Sequence, residues 1–152
     1  MEESSAQYYI DSNIFIFSVI DTQVLGNKCR EILKKAHQGQ IKGISSCLVL
    51  DEILWNLKKL NIKNYLDICK NFLDLNIKFI EVTKITLHKS LDIINKYNLK
   101  PRDSIHIATM NLLGLHKIIS EDSDFDKVLD IKRVNILDLK IETEDKKEEK
   151  SN

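Results

Sequence analysis

Short β-rich runs alternate with longer helical patterns along this 152-residue chain. Such alternation is typical of a parallel sheet covered by helices, because consecutive parallel strands need a crossover connection between them. Strands are predicted at residues 8–10, 42–44, 77–82, 117–119 and 133–137. We therefore predict an α/β fold with a central parallel sheet.

Apolar residues recur at helical spacing between these runs. The predicted helices cover residues 25–36, 48–60, 65–73 and 87–97, followed by a helix that begins at Pro101. Two of them lie between the second and third strands, which predicts a helical hairpin there. Pro101, the only proline, suits the first turn of a helix because no amide donor is needed at that position. Asp103 then falls in the same first turn, where the helix dipole favours a carboxylate.

Size and composition indicate one domain, which we place at residues 1–141, followed by a charged tail at 142–152 that we expect to be disordered. No apolar run approaches the roughly 18 residues that span a bilayer, and the first residues do not resemble a secretory signal. We expect a cytoplasmic protein. The tail carries five acids and three lysines, and Glu2 and Glu3 are also acidic, so residues 4–141 carry a charge of +4. That mildly basic character permits a nucleic-acid partner without requiring one.

The three cysteines, Cys29, Cys47 and Cys69, are odd in number and widely spaced within apolar patterns. Such spacing is unlike a disulfide framework or a thiolate zinc site. We predict buried, reduced thiols.

Two acidic residues follow predicted strands. Asp11 comes directly after Tyr8-Tyr9-Ile10, and Asp122 follows the apolar run that ends at Ser120. In parallel α/β sheets the ligand crevice lies beyond the carboxyl ends of the strands, and neighbouring strands are about 4.8 Å apart. If the two strands are neighbours, their carboxylates are close enough to share a metal. Carboxylates at that distance repel unless a cation neutralises them, and Mg²⁺ prefers oxygen ligands of this kind.

Four strings, YYIDSN, SSCLVLDEILW, PRDSIHIAT and ISEDSDFD, occur in that order within residues 8–138. Together they resemble the PIN-domain nucleases, in particular the VapC-like ribonuclease toxins of prokaryotic toxin–antitoxin pairs. The resemblance implies a PIN-like three-layer sandwich with a central parallel sheet of about five strands. It also implies an endoribonuclease that hydrolyses RNA phosphodiester bonds with Mg²⁺ or Mn²⁺, forms a homodimer and is inhibited by an antitoxin protein.

Carried over residue by residue, the resemblance implies four catalytic acids: Asp11, Glu52, Asp103 and Asp122. Asp11, Asp103 and Asp122 would hold the metal, while Glu52 completes the site or orients the attacking water. The implied supporting residues are Asn13, Ser120, which stands where threonine is commoner in the family, and Asp124. Helical periodicity alone does not choose between Glu52 and Asp51. Charge alone points to Lys58, Lys59, Lys100 and Arg102 as guides for the RNA backbone.

Each of these residues also has a plainer interpretation. Asp11 is a good helix N-cap, and Asp122 is of a type common where a strand leads into a loop. His106, on the same helix face as Asp103, is interpreted as a structural histidine, or as one that contacts substrate or orients a carboxylate. Trp55 is interpreted as a core residue or an interface anchor, and the roles of Glu121 and Asp126 stay open between accessory acid and plain surface.

Two further functions remain compatible with the sequence. One is a housekeeping PIN nuclease of RNA processing that has no antitoxin. The other is a non-catalytic PIN fold that only binds RNA or protein. The presence of all four acids favours a nuclease over the binding module.

Overall fold

The computed structural model of the protein describes residues 6–140. In chain order the elements are β1 (Gln7–Ile10), α1 (Ser12–Ile20), α2 (Val24–His37), β2 (Lys42–Ser46), α3 (Leu48–Lys59), α4 (Tyr65–Leu73), β3 (Ile77–Ile80), α5 (Lys84–Tyr97), α6 (Pro101–Leu112), β4 (Lys117–Ile119), the 3₁₀ helix η1 (Ser123–Lys127) and β5 (Lys132–Val134). The predicted helical hairpin between the second and third strands is confirmed as α3 and α4.

The five strands form one parallel sheet with the order β3-β2-β1-β4-β5. The first strand therefore lies at the centre, and the winding direction reverses between β1 and β4. Ile10 pairs with Ile119, and the amide of Asp11 extends the ladder by donating to the Ile119 carbonyl at 3.2 Å. The strands that precede Asp11 and Asp122 are thus neighbours, and their carboxyl ends form the topological switch point where α/β folds bind ligands.

Helices cover both faces of the sheet and form three layers. On one face α1, α2, α3 and α4 enclose a core that includes Ile10, Phe15 and Ile119. On the other face α5, α6 and η1 pack over Tyr9, Ile118 and neighbouring apolar residues. Alternate residues of a strand point to opposite faces, so Tyr9 and Ile10 serve different cores. The predicted α/β sandwich is confirmed.

Helix α1 was not predicted. Its last seven residues, IFIFSVI, are apolar at every position but one, so no periodicity distinguishes a helix from a buried strand. Asp11 is the N-cap of this helix, and its side chain accepts a hydrogen bond from the Ser12 amide. The N-cap interpretation of Asp11 is therefore correct, and it does not compete with a functional role for the same carboxylate.

Other predictions were wrong wholly or in part. Strand β5 ends at Val134 instead of 137, because the side chain of Asn135 accepts a hydrogen bond from the Leu137 amide and turns the chain. Cys47 is exposed at the start of α3, whereas Cys29 and Cys69 are buried as expected. Trp55 is 62% exposed and so is not a core residue, which leaves the interface interpretation open.

The predicted tail at 142–152 lies outside the described residues. Between residues 6 and 140, none of the helices combines the length and the hydropathy that a bilayer crossing requires.

Candidate active site

The four acids reach the same edge of the sheet from four different elements. Asp11 directly follows β1, Glu52 lies within α3, Asp103 lies in the first turn of α6, and Asp122 is the N-cap of η1. Their oxygen atoms fall into two groups in which all ligand atoms lie within 4.8 Å of one another. One group contains Asp11 and Glu52 together with His106, and the other contains Asp103, Asp122 and Asp124.

The carboxylate of Asp11 is held by donors from both sides. Its Oδ1 accepts the Ser12 amide at 2.8 Å, and its Oδ2 accepts the Ser120 hydroxyl at 2.6 Å. Burial raises the pKa of Asp11, although the charge of His106 and the hydrogen bond from Ser120 act in the opposite direction. The orientation of this buried carboxylate is therefore determined by β1 and β4 together.

Ser120 joins the residues that follow the two central strands. Its hydroxyl donates to Asp11 and accepts from the Asn13 side-chain amide at 3.1 Å and from the Asp122 backbone amide at 3.0 Å. Asp122 in turn accepts the Asp124 amide at 2.9 Å. Since all of these contacts use the hydroxyl, serine supplies what threonine would supply at this position. The predicted supporting residues Asn13, Ser120 and Asp124 are all brought to the site.

Glu52 and Asp51, which periodicity could not separate, point in different directions. The side chain of Glu52 is 15% exposed, and its two oxygens accept from His106 Nε2 at 2.5 Å and from the Ser12 hydroxyl at 2.7 Å. Asp51 is 60% exposed and pairs with Arg102 at 2.9 Å on the outer surface. The fold brings Glu52 into the cluster and turns Asp51 away from it.

His106 is fully buried between Glu52 and Tyr9, whose hydroxyl lies 2.5 Å from His106 Nδ1. An ionised carboxylate only accepts hydrogen bonds, so Nε2 carries the proton that is shared with Glu52. Burial opposes the charge of the imidazole, but the hydrogen bond to Glu52 and the charge of Asp11 raise the pKa of His106 above its usual value. Burial would also raise the pKa of Glu52, yet the bonds from His106 and Ser12 keep it below normal.

Of the interpretations of His106, the carboxylate-orienting one matches this geometry. Sequence reasoning missed two partners in the network, Tyr9 and Ser12. The signal for Ser12 was its hydroxyl next to Asp11, but only the packing of α3 against α1 reveals that this hydroxyl reaches Glu52. Tyr9 carried no signal beyond that of an apolar strand residue.

Asp103 is the least compensated acid of the cluster. Its Oδ2 is buried and has no hydrogen-bond partner among residues 6–140. Burial, followed by the charges of Asp122 and Asp11, raises the pKa of Asp103 from 3.8 to about 6. A buried oxygen without a donor, set among like charges, is what a hard divalent cation would satisfy. The donor set of carboxylate oxygens therefore fits Mg²⁺ or Mn²⁺.

Basic residues line the rim of the cluster. Lys100 and Lys127 lie 3.8 Å and 3.4 Å from the carboxylate of Asp124, and Arg102 pairs with Asp51. Lys58 and Lys59 are exposed in the last turn of α3.

The two acids whose roles the sequence left open, Glu121 and Asp126, lie towards β5. Glu121 accepts the Ile136 amide at 3.2 Å, and Asp126 binds the guanidinium of Arg133. Neither belongs to the two groups of clustered oxygens. Both stabilise the edge of the sheet.

The chain is similar to known proteins in sequence and in fold. A family model described as the PIN domain matches residues 8–130. Ribonuclease VapC2 of Methanocaldococcus jannaschii is 28% identical over 143 residues, which cover 84% of this chain and 91% of the relative.

Solved structures share the fold at low sequence identity. The DNA-bound VapBC from Salmonella typhimurium aligns with a TM-score of 0.68 at 14% identity, covering 86% of this chain and 98% of the other. VapC20 of Mycobacterium tuberculosis, described as a sarcin-ricin loop cleaving toxin, aligns with a TM-score of 0.67 at 12% identity, covering 82% and 98% of the two chains.

Proposed function

This chain belongs to the PIN domain family, and from that premise we propose that it is a metal-dependent endoribonuclease acting as the toxin of a toxin–antitoxin pair. The activity is supported by the sequence similarity to a ribonuclease, which extends over 91% of that relative's length. The toxin role is supported by structural neighbours that are toxins or toxin–antitoxin complexes.

The observation that carries the proposal is the buried Oδ2 of Asp103, which has no hydrogen-bond partner within the described part of the chain and lies beside Asp122 and Asp11. We propose that Asp11, Asp103 and Asp122 hold Mg²⁺ or Mn²⁺, with Asp124 beside them. When bound, the cation would supply Lewis acidity and a water of lowered pKa for attack on a phosphodiester.

Glu52 has a different role in this proposal. Both of its oxygens already accept hydrogen bonds from His106 and Ser12, which hold it in one orientation as an ionised carboxylate. A second lone pair on each oxygen remains available to orient a water at the edge of the cluster. No protein nucleophile is required.

A cleavage assay tests this function. Purified protein is incubated with a mixture of single-stranded and hairpin RNA in Mg²⁺ or Mn²⁺, with EDTA as one control and Asp103→Asn as another. Asp51→Asn is the matched variant, because it removes one carboxylate charge at an exposed position outside the cluster. We expect cleavage by the unsubstituted protein and by Asp51→Asn only. Cleavage that survives Asp103→Asn would contradict the proposed centre.

The toxin role needs a separate test, since a housekeeping PIN nuclease would pass the cleavage assay. Controlled expression of the active protein is expected to arrest growth, and Asp103→Asn is expected not to. Coexpression of a small protein encoded beside this gene should relieve the arrest if that protein is the antitoxin. A gene without such a neighbour, or expression without arrest, would favour the RNA-processing alternative.

We also propose a homodimer. The support is apolar surface on α5, where Ile85 is 68% exposed, Leu87 46% and Leu91 62%. Isolated apolar side chains are common on protein surfaces, but Leu87 and Leu91 lie one turn apart and both line an apolar cavity of about 300 Å³ between α5 and α6, so they form a patch with it. Sedimentation of the unsubstituted protein and of Leu91→Glu tests it, with a shift of the variant to monomer expected.

A further inference from the structure

A row of three side chains crosses the sheet at its amino end, away from the acidic cluster. Tyr9 pairs with Ile118, so Tyr8 on β1 lies next to Lys117 on β4, and Lys117 is the register partner of Lys132 on β5. Partners in adjacent parallel strands point to the same face of a sheet. Tyr8, Lys117 and Lys132 therefore form a continuous row, which we call the amino-end row.

The two lysines of the row carry adjacent positive charges. Among residues 6–140 neither ammonium group takes part in an ion pair. Lys117 Nζ lies 5.9 Å from the centre of the Tyr8 ring, which is a weak contact. Like charges placed directly opposite in a sheet are destabilising. An anion bound between the two ammonium groups would offset this repulsion.

The row opens into a cavity of about 500 Å³ that is also lined by Asn135 and Asp138. Cavities of this size hold small ligands or single residues of a polymer. Asn135 Oδ1 is occupied by the Leu137 amide, so its amide nitrogen is the group available as a donor. Arg133 lines the same cavity, but its guanidinium is already bound to Asp126 and to the Ser120 carbonyl.

We propose that this cavity binds one nucleotide of single-stranded RNA that lies outside the cleaved bond. Lys117 and Lys132 contact the phosphate, and the base stacks on the half-buried ring of Tyr8. Paired ammonium groups beside an aromatic face are the combination that single-stranded nucleic acids use, since stacking accepts any base and the cations follow the backbone. Asn135 and Asp138 supply a donor and an acceptor for the base edge or the ribose hydroxyl. This inference rests on the ribonuclease function proposed above.

The position of the cavity predicts that the affinity for RNA depends on the length of the strand. Tyr8 precedes Asp11 by three residues, which is about 10 Å along an extended strand. A nucleotide at the acidic cluster therefore does not reach the amino-end row, and only a longer strand contacts both. The cavity should raise affinity for long substrates without changing the chemistry at the cluster.

Binding to labelled RNA tests the inference. Fluorescence anisotropy is measured in EDTA on the full-length chain carrying Asp103→Asn, which prevents cleavage, with single strands of 3 and 12 nucleotides. The test variant is Lys117→Gln/Lys132→Gln, which keeps most of each aliphatic stem. The matched control is Lys63→Gln/Lys78→Gln, which removes two charges from exposed lysines that form no ion pair within residues 6–140. Thermal unfolding verifies that each variant is folded.

We expect the test variant to bind the 12-nucleotide RNA at least about fivefold more weakly, and also to bind the 3-nucleotide RNA more weakly, because a short strand can occupy the cavity by itself. The slope of log affinity against log salt should become smaller by about 0.7, the value for one neutralised phosphate of a single strand. Tyr8→Phe should retain the affinity, and Tyr8→Leu should lose part of it. An equal loss in the control variant, or an unchanged affinity in the test variant, would overturn the inference.

The two proposals fail in different ways. If the unsubstituted protein cuts RNA while Lys117→Gln/Lys132→Gln binds the long strand normally, the cavity proposal alone is wrong. If the unsubstituted protein neither cuts nor binds RNA, the ribonuclease function itself is wrong and this inference is overturned with it. Displacement of the 12-nucleotide RNA by inorganic phosphate as readily as by a mononucleotide would indicate a simple anion site and would also overturn the inference.

Discussion

His106 Nε2 lies 2.5 Å from Glu52 Oε1 although the two residues are 54 positions apart. The imidazole of His106 is completely buried, and its other nitrogen contacts the hydroxyl of Tyr9. The contact joins α6, which carries Asp103, to α3. Glu52 is thereby oriented by a residue that is itself shielded from solvent.

Replacing His106 by glutamine should lower kcat about 10- to 100-fold with little change in KM, because a neutral amide orients Glu52 less firmly than the imidazole does, while the RNA-binding surface stays intact. Stability should fall by about 1–3 kcal/mol, since the buried hydroxyl of Tyr9 loses its partner. Tyr9→Phe should have a smaller effect on kcat, because the contact between His106 and Glu52 remains. Steady-state cleavage kinetics and urea unfolding provide the measurements, and an unchanged kcat in His106→Gln would contradict a positioning role.

Glu52→Gln and Asp51→Asn should differ sharply although both remove one negative charge from the same turn of α3. Glu52→Gln is expected to reduce cleavage by about 100-fold or more, because the amide is a poorer acceptor for a proton or a water. Asp51→Asn should change activity less than about threefold, since it breaks only an exposed pair with Arg102, and such pairs contribute at most about 1 kcal/mol. Equal losses in the two variants would show that the helix as a whole is the sensitive feature.

Asp103→Asn should abolish cleavage yet stabilise the metal-free protein at pH 7. The folded pKa of about 6 lies above the usual 3.8, so the folded state binds more protons between these values and stability falls as pH rises through that window. Removing the charge should recover on the order of 1 kcal/mol after allowance for solvent screening. Urea unfolding at pH 5 and pH 7 measures the free energy of unfolding of both proteins. The gain in stability of the variant over the unsubstituted protein should be larger at pH 7 than at pH 5. Added Mn²⁺ should stabilise the unsubstituted protein only. A variant that is less stable at pH 7 would contradict the electrostatic account.

Ser120→Ala should lower activity about 10- to 100-fold, because it removes the donor to Asp11 and the acceptor for the amides of Asn13 and Asp122. Ser120→Cys is the informative companion, since it keeps a similar volume but offers only a weak donor. We expect the affinity for Mn²⁺, measured by calorimetry, to fall in both variants and to fall further in Ser120→Ala than in Ser120→Cys. Normal metal affinity in Ser120→Ala would mean that the carboxylates are positioned by their backbones alone.

The order of the elements and the class of the fold could be predicted because they depend on local patterns. Strand β4 and helix α4 have the predicted limits, since alternation and helical spacing are properties of neighbouring residues. Helix α1 escaped prediction because its residues are apolar on nearly every side, and Cys47 and Trp55 were misjudged because apolar surroundings in sequence do not establish burial.

The sequence by itself determined which acids stand at strand ends and helix starts, since Asp11 follows β1 directly and Asp103 follows Pro101. Only the tertiary structure decided which carboxylates meet. It placed β1 beside β4, turned Glu52 inward and Asp51 outward, and buried His106 against Glu52. These contacts join residues that are tens of positions apart, and they depend on how helices pack across the sheet, which no local pattern encodes.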